Sequence, residues 1–310
     1  MTTLRERALL VLALVVLGAG WGVTQPLAKI AVSEGYRNFG IIFWQLVIGA
    51  VCLGAILLVR GRWPRVTRAR LFACTVIALI GTVLPNTASY QAAVYLPAGV
   101  LSILLSAVPM IAFPVALAFG LDRFAWGRLA GLMTGLVGVL ILTVPEASLP
   151  DPAMAAFVPL AMIAPICYAL EGNGIARFGT AGLDPVELLF GASVIGAVLA
   201  LPAAMASATF IDPLHVWRGP DWAILASSLV HAVVYTSYFW LIGRAGSVFA
   251  VQVSYLVTGF GVLWAILLLG EQYTGAIWTA LALMVLGMFL VQPRPVLPLV
   301  EPAPSRQDAV

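Results

Sequence analysis

Ten apolar stretches, each about the length needed to cross a bilayer, take up nearly the whole chain. They run roughly Ala8–Ala31, Phe39–Val59, Leu71–Ala92, Ala98–Phe119, Trp126–Val144, Ala155–Ala176, Pro185–Ala206, Trp222–Gly243, Val248–Leu269 and Tyr273–Val291. A spanning helix needs about 20 mostly apolar residues. Backbone amides in lipid must be satisfied within their own segment, which selects helices over open sheet. Only 9% of the residues are charged, against roughly 25% in a soluble domain, so the chain cannot clothe itself for water. The expected fold is all-α, a polytopic membrane protein of ten transmembrane helices, with no room for a soluble catalytic domain. Arg5 and Arg7 precede the first stretch as in a signal peptide, but the stretch runs too long and lacks a small-residue cleavage site. It is read as helix one. Cys52, Cys74 and Cys167 fall inside spans, far apart, and suggest packing residues rather than a metal site or disulfide framework.

Charge sets the expected orientation. With the N-terminus inside, 13 of the 16 Lys and Arg face the cytoplasm, including Arg5, Arg7, Arg60, Arg62, Arg65, Arg68, Arg70, Arg123, Arg128, Arg177, Arg244, Arg294 and Arg306. Lys29, Arg37 and Arg218 are left outside. The opposite orientation violates the positive-inside rule. The expectation is a multi-pass protein of a bacterial inner membrane with both termini cytoplasmic and membrane lipids around it. The net charge of +3 follows from this topology and calls for no nucleic-acid partner.

The halves align on each other at a shift of 148 positions (176 minus 28). Ala28 meets Ala176, Lys29 meets Arg177, Ser89 meets Ser237, Tyr90 meets Tyr238, Val100 meets Val248, Ser106 meets Ser254, Gly127 meets Gly275 and Pro145 meets Pro293. Five spans per half is an odd number, so the second half enters the membrane in the opposite sense. The expected organisation is one five-helix repeat over residues 1–147, its inverted copy over 148–292, and a Pro-rich polar tail over 293–310, disordered by composition. Inverted repeats characterise secondary transporters, whose site lies at the repeat interface near mid-membrane. Rocking of the two halves about that interface exposes the site to each side in turn. Gly127, Gly131 and Gly135 of helix five lie on one face and suit close approach of another helix.

The chain resembles the ten-helix EamA branch of the drug/metabolite transporter superfamily over residues 5–292. The resemblance rests on Trp21-Gly22 with Lys29, the stretch Leu96–Pro114 with Pro109, and Leu268-Leu269-Gly270-Glu271 followed by Leu286-Gly287. It implies two four-helix sets around a central cavity, helices five and ten at the periphery, and movement of amino acids, nucleosides, sugars or related metabolites. Gln45 stands where the family commonly has an Arg, Leu121-Asp122 replaces a Gly-Glu pair, Val257 replaces a proline, and Glu171 replaces a small or apolar residue.

Polar groups inside a membrane are costly unless they face a cavity or a partner. Those sharing a helical face are therefore the candidate substrate-binding residues: Trp21 and Gln25 in helix one, Asn86 and Tyr90 in helix three, and Tyr168 and Glu171 in helix six. His231, Tyr235 and Tyr238 in helix eight and Gln252 in helix nine complete the set. Such a face is aromatic-walled with a few directed hydrogen bonds, as small-molecule sites are. Glu171 has two readings, a cavity carboxylate that holds a substrate amine or carries a coupling proton, or a structural group paired with Arg177. His231 is read either as a second titrating group or as a neutral packed histidine. Ser102 and Ser106 suit bonds to their own backbone. Lys29 and Arg177 are either matched gates or interfacial anchors; anchoring suits Arg177, and Lys29 stays open.

No G-x-x-x-x-G-K-[ST], H-E-x-x-H or G-x-S-x-G segment occurs, so neither an ATPase, a zinc protease nor a serine hydrolase is expected, and no cofactor. The expected function is a gradient-driven secondary transporter of a small metabolite, an amino acid or related polar solute, exporting rather than importing. The rival is a flippase for a lipid or lipid-linked headgroup.

Overall fold

A computed structural model describes residues 4–61, 63–143, 151–245 and 252–291. It holds ten helical segments among the described residues: α1 (Leu4–Ser33), α2 (Asn38–Val59), α3 (Arg68–Tyr95), α4 (Ala98–Ala118), α5 (Trp126–Thr143), α6 (Ala153–Phe178), α7 (Pro185–Ala206), α8 (Gly219–Ala245), α9 (Val253–Leu269) and α10 (Gly275–Val291). Six of them, α1 to α4, α6 and α7, are long and apolar enough to cross a membrane, and α5, α9 and α10 are shorter apolar helices. The protein is a multi-pass membrane protein. Residues 293–310, Pro145, Val248, Arg62, Arg294 and Arg306, named in the sequence reading, lie outside the described residues.

Three helices depart from the regular runs that apolar patterning implies, and proline explains each. Proline lacks an amide hydrogen and its ring crowds the carbonyl four residues back. Pro85 stands four residues after Gly81, and α3 widens into a π-helical stretch over Ile77–Val83, with the Leu84 amide donating to Leu79. Pro109 stands four after Leu105, and α4 breaks between Leu105 and Val108. Pro165 stands four after Ala161, and α6 breaks at Met162. All three breaks fall in the helices that line the molecular centre.

The helices exchange between halves. α1 packs most closely on α8 and α9 of the second half, and α6 packs in the same way on α3 and α4 of the first. Likewise α2 lies against α7 and α8, while α7 lies against α2 and α3. Two related four-helix sets result, α1–α2–α8–α9 and α6–α7–α3–α4, which meet along α2–α7 and α4–α9. They match the two sets that the family resemblance implies, with the refinement that each contains helices of both halves. Glycine makes the α1–α9 approach feasible, since a Cβ on Gly22 would lie 2.8 Å from the Gly261 amide nitrogen. α5 and α10 pair at the periphery. There a Cβ on Gly131 would lie 2.7 Å from the Gly287 carbonyl oxygen, whereas Gly127 faces open space. The glycine face of helix five is therefore an intramolecular packing surface over two of its three members.

Define the near face as the one where α1 begins and α10 ends. At the opposite, far face, two charged side chains finish helix ends across long sequence separations. Lys29 Nζ donates to the carbonyls of Ala93 (2.7 Å), Leu96 (3.0 Å) and Val94 (3.3 Å), capping the end of α3. Cations stabilise carbonyl-rich helix C-termini, so Lys29 is a cap rather than a free gate. Gly270, at φ 66°, ends α9 in the left-handed region and turns the chain so that Glu271 reaches back to α4. Its carboxylate accepts from the amides of Ala98 (2.7 Å) and Gly99 (3.1 Å). The Gly-Glu pair of the sequence is thus a helix stop followed by a cap donated to the other half. Replacing a capping side chain by Ala costs about 0.5–2 kcal/mol. Glu271→Ala is expected to lower the thermal unfolding midpoint in detergent, and an unchanged midpoint would remove the cap from the account.

Candidate functional site

Helices α1, α8 and α9 of one set face α3, α4 and α6 of the other across the boundary between them. At the far face the two sets are in contact. There Leu84–Tyr95 of α3 packs on α1 and α2, and Ala98–Leu105 of α4 packs on α1 and α9. Beyond the proline breaks the same helices diverge towards the near face. Arg68–Val76 of α3 leans on α7, and Val108–Ala118 of α4 leans on α6, α5 and α10 rather than on α1 or α9. The two sets therefore part towards the near face.

Most of the residues singled out by sequence meet here. On one wall, Trp21 of α1 contacts three rings of α8: Tyr238 (centroids 5.2 Å apart), Tyr235 (5.6 Å) and His231 (6.5 Å). On the other, Tyr168 Oη donates to Asn86 Oδ1 (3.2 Å), joining α6 to α3. Glu171 is half-buried, and its carboxylate sits against Gly81 in the π-helical stretch, where any Cβ would collide with it. Among the described residues no ion pair joins Glu171 to Arg177 or another base. Arg177 is exposed, with its guanidinium 5.9 Å from the Phe178 ring centroid. The structural pairing of Glu171 with Arg177 is therefore not formed among the described residues.

Tyr90 is buried, and its hydroxyl donates to Gln45 Oε1 in a short hydrogen bond. Gln45 Nε2 in turn donates to Ser227 Oγ of α8 (3.4 Å). Gln45, Ser227 and Gly81 are absent from the sequence-derived set. Gln45 left a signal, a polar side chain in mid-span where the family commonly has an Arg; Gly81 and Ser227 left none. Two members of the set are not drawn in. Gln25 is half-buried without a hydrogen bond among the described residues, and Gln252 is exposed just before α9. Ser102 and Ser106 bond the carbonyls of Ala98 (3.0 Å) and Ile103 (2.6 Å), as expected of helical serines.

The model of the EamA-like transporter family matches the chain twice, at residues 8–144 and 156–292. The chain belongs to the EamA-like transporter family. That places it in the drug/metabolite transporter superfamily and among transporters rather than enzymes. A solved structure titled only "Crystal structure of protein" aligns with a TM-score of 0.62 over 90% of this chain and 97% of its own, at 19% identity, and shares the fold. No curated protein matches.

In this EamA-like transporter a polar cluster also fastens the far face from one half to the other. Tyr36, in the turn after α1, donates to Asp221 Oδ1 (2.7 Å), and His215 Nε2 lies 3.0 Å from Asp221 Oδ2. The Arg218 amide donates to the same carboxylate (2.8 Å). The hydrogen bond to Asp221 raises the His215 pKa above its ordinary 6.5. Burial would raise that of Asp221, but the hydrogen bonds from the Arg218 amide, Tyr36 and His215 outweigh it and hold the carboxyl below its ordinary 3.8. Burial, then the bond to Asp221, pushes Tyr36 up to about 12. A raised histidine pKa contributes stability that is complete below the unfolded value and is lost as pH rises through the folded value; a depressed carboxyl contributes stability lost as pH falls through its folded value. Both contributions coexist between 3.8 and 6.5. The midpoint difference between the wild type and His215→Ala is expected to be largest near pH 6 and to shrink towards about pH 9. A difference that grows with pH would contradict the assignment.

Proposed function

We propose that the protein is a secondary transporter that moves a small metabolite, an amino acid or related polar solute, by alternating access, and exports it across a bacterial inner membrane. The observation that carries this reading is that the two sets touch at the far face and part towards the near face, the arrangement of a cavity open to one side, with aromatic rings and one carboxylate without an ionic partner among the described residues on the facing helices. With the termini cytoplasmic, as the positive charges favour, the cavity opens to the cytoplasm, the side from which an exporter loads.

Glu171 is the group that holds a substrate amine or exchanges a proton for it. A carboxylate at this depth requires water, a proton or a cationic partner, and Gly81 makes room for the carboxylate itself. Trp21, Tyr235 and Tyr238 supply faces for the apolar part of a solute and for the cationic part through their ring quadrupoles. Asn86, Tyr168 and His231 supply directional hydrogen bonds. The moving bodies in this reading are the two exchanged four-helix sets, not the sequence halves 1–147 and 148–292.

The test is resistance of bacteria expressing the protein to toxic amino-acid analogues, nucleobases and cationic compounds, with variants matched in membrane abundance. Tolerance to one chemical class, lost in Glu171→Gln, is the expected result. Undiminished tolerance in that variant would remove Glu171 from the mechanism, and scrambling of labelled lipids by the purified protein without solute transport would replace the reading with a lipid flippase.

A further inference from the structure

At the far face lies a pocket of about 390 Å³ lined by Arg37, Asn38, Tyr90, Gln91, Tyr95 and Phe157 among others. Tyr90 lines it from α3. One turn nearer the centre along α3 is Asn86, bonded to Tyr168 of the cavity wall; on its other side Tyr90 faces the outer pocket. There the side chains of Tyr90, Gln45 and Ser227 are tied by two hydrogen bonds that cross from α3 through α2 to α8. This tie joins one four-helix set to the other at a point where they must part if the cavity is to open outward.

The repeat gives Tyr90 a counterpart, Tyr238 (238 minus 148 is 90), and the two are not in equivalent surroundings. Tyr90 is buried towards the far face, whereas Tyr238 is half-buried against Trp21 on the side where the helices diverge. The counterpart of Gln45 is Ser193, on the α7 face that approaches Gly49 of α2. An inverted repeat whose copies occupy different environments interconverts by exchanging them.

We infer that Tyr90, held by Gln45 and Ser227, is the far-side gate, and that Tyr238 is the near-side gate, each closed when the other is open. This rests on the alternating-access reading and assigns its gates. Tyr90 then acts on the pathway as a barrier and not as a solute ligand, and the pocket beyond it is the vestibule that a released solute crosses.

The probe is Asn86→Cys, one turn inside the barrier, in a chain whose three native cysteines are replaced by Ser. A membrane-impermeant thiol reagent is applied to the far side and to the near side in oriented membrane vesicles. Labelling is expected to be rapid from the near side and slow from the far side. Tyr90→Phe and Gln45→Leu, each removing the same hydrogen bond, should raise the far-side rate about fivefold, the equivalent of about 1 kcal/mol of lost hydrogen bonding. Tyr238→Phe should not raise it. Far-side labelling unchanged by both gate variants, with near-side labelling showing the protein intact, would overturn the assignment, as would an equal rise in Tyr238→Phe. The assay needs no solute, so failure to find a transported compound leaves it readable, while a correct gate in a protein that moves no solute would sink the transport reading alone.

Discussion

Exchange of α1 and α6 between the two halves is the packing constraint on which the rest of the structure depends. Each helix buries its face against two helices of the opposite repeat, and glycines at Gly18 and Gly22 bring α1 into backbone contact with α9. Without water to drive association, membrane helices are held by such close van der Waals packing and by interhelical hydrogen bonds. Because α1 cannot leave α8 and α9 without losing this contact, separation falls at the boundary between the exchanged sets.

Proline and charge then divide labour along that boundary. The breaks at Pro85, Pro109 and Pro165 let α3, α4 and α6 change direction near mid-membrane, so their far halves pack on the first set while their near halves swing away. Lys29, Glu271 and the Tyr36–Asp221–His215 cluster satisfy helix ends and loops on the far face only. The far end is thus rich in directed polar contacts, whereas Leu14, Leu17, Leu241 and Val253 form a buried apolar cluster that holds α1, α8 and α9 together towards the near face. Gly81 makes room for the Glu171 carboxylate between α3 and α6.

Much of this was legible in the sequence, and the reasons are physical. Helix number, the inverted repeat and the family follow from hydropathy and from pairs such as Ser89-Tyr90 with Ser237-Tyr238, since each is a local or a periodic property. The aromatic face of His231, Tyr235 and Tyr238 is a matter of helical spacing, and Trp21 meets all three rings. What stayed hidden depends on which helices meet. Gly81 acquires meaning only once α3 and α6 are adjacent, and Ser227 only once α8 crosses α2. The pairing of Glu171 with Arg177, six residues on, was suggested by sequence proximity, but Arg177 lies exposed at the helix end. Sequence alone leaves Lys29 open between gate and anchor, because its carbonyl partners lie more than sixty residues away.

Alternating access in this protein requires the two exchanged four-helix sets to move against each other. It is tested most directly by pulsed electron–electron distance measurements in lipid nanodiscs, with spin labels paired between the sets at each face. Arg68 with Arg244 reports the near face, and Tyr95 with Leu214 the far face; all four positions are exposed. Upon addition of a transported solute, or upon Glu171→Gln substitution, the account predicts a population in which the near-face distance shortens while the far-face distance lengthens. Distances that stay fixed, or that change in the same direction at both faces, would contradict it.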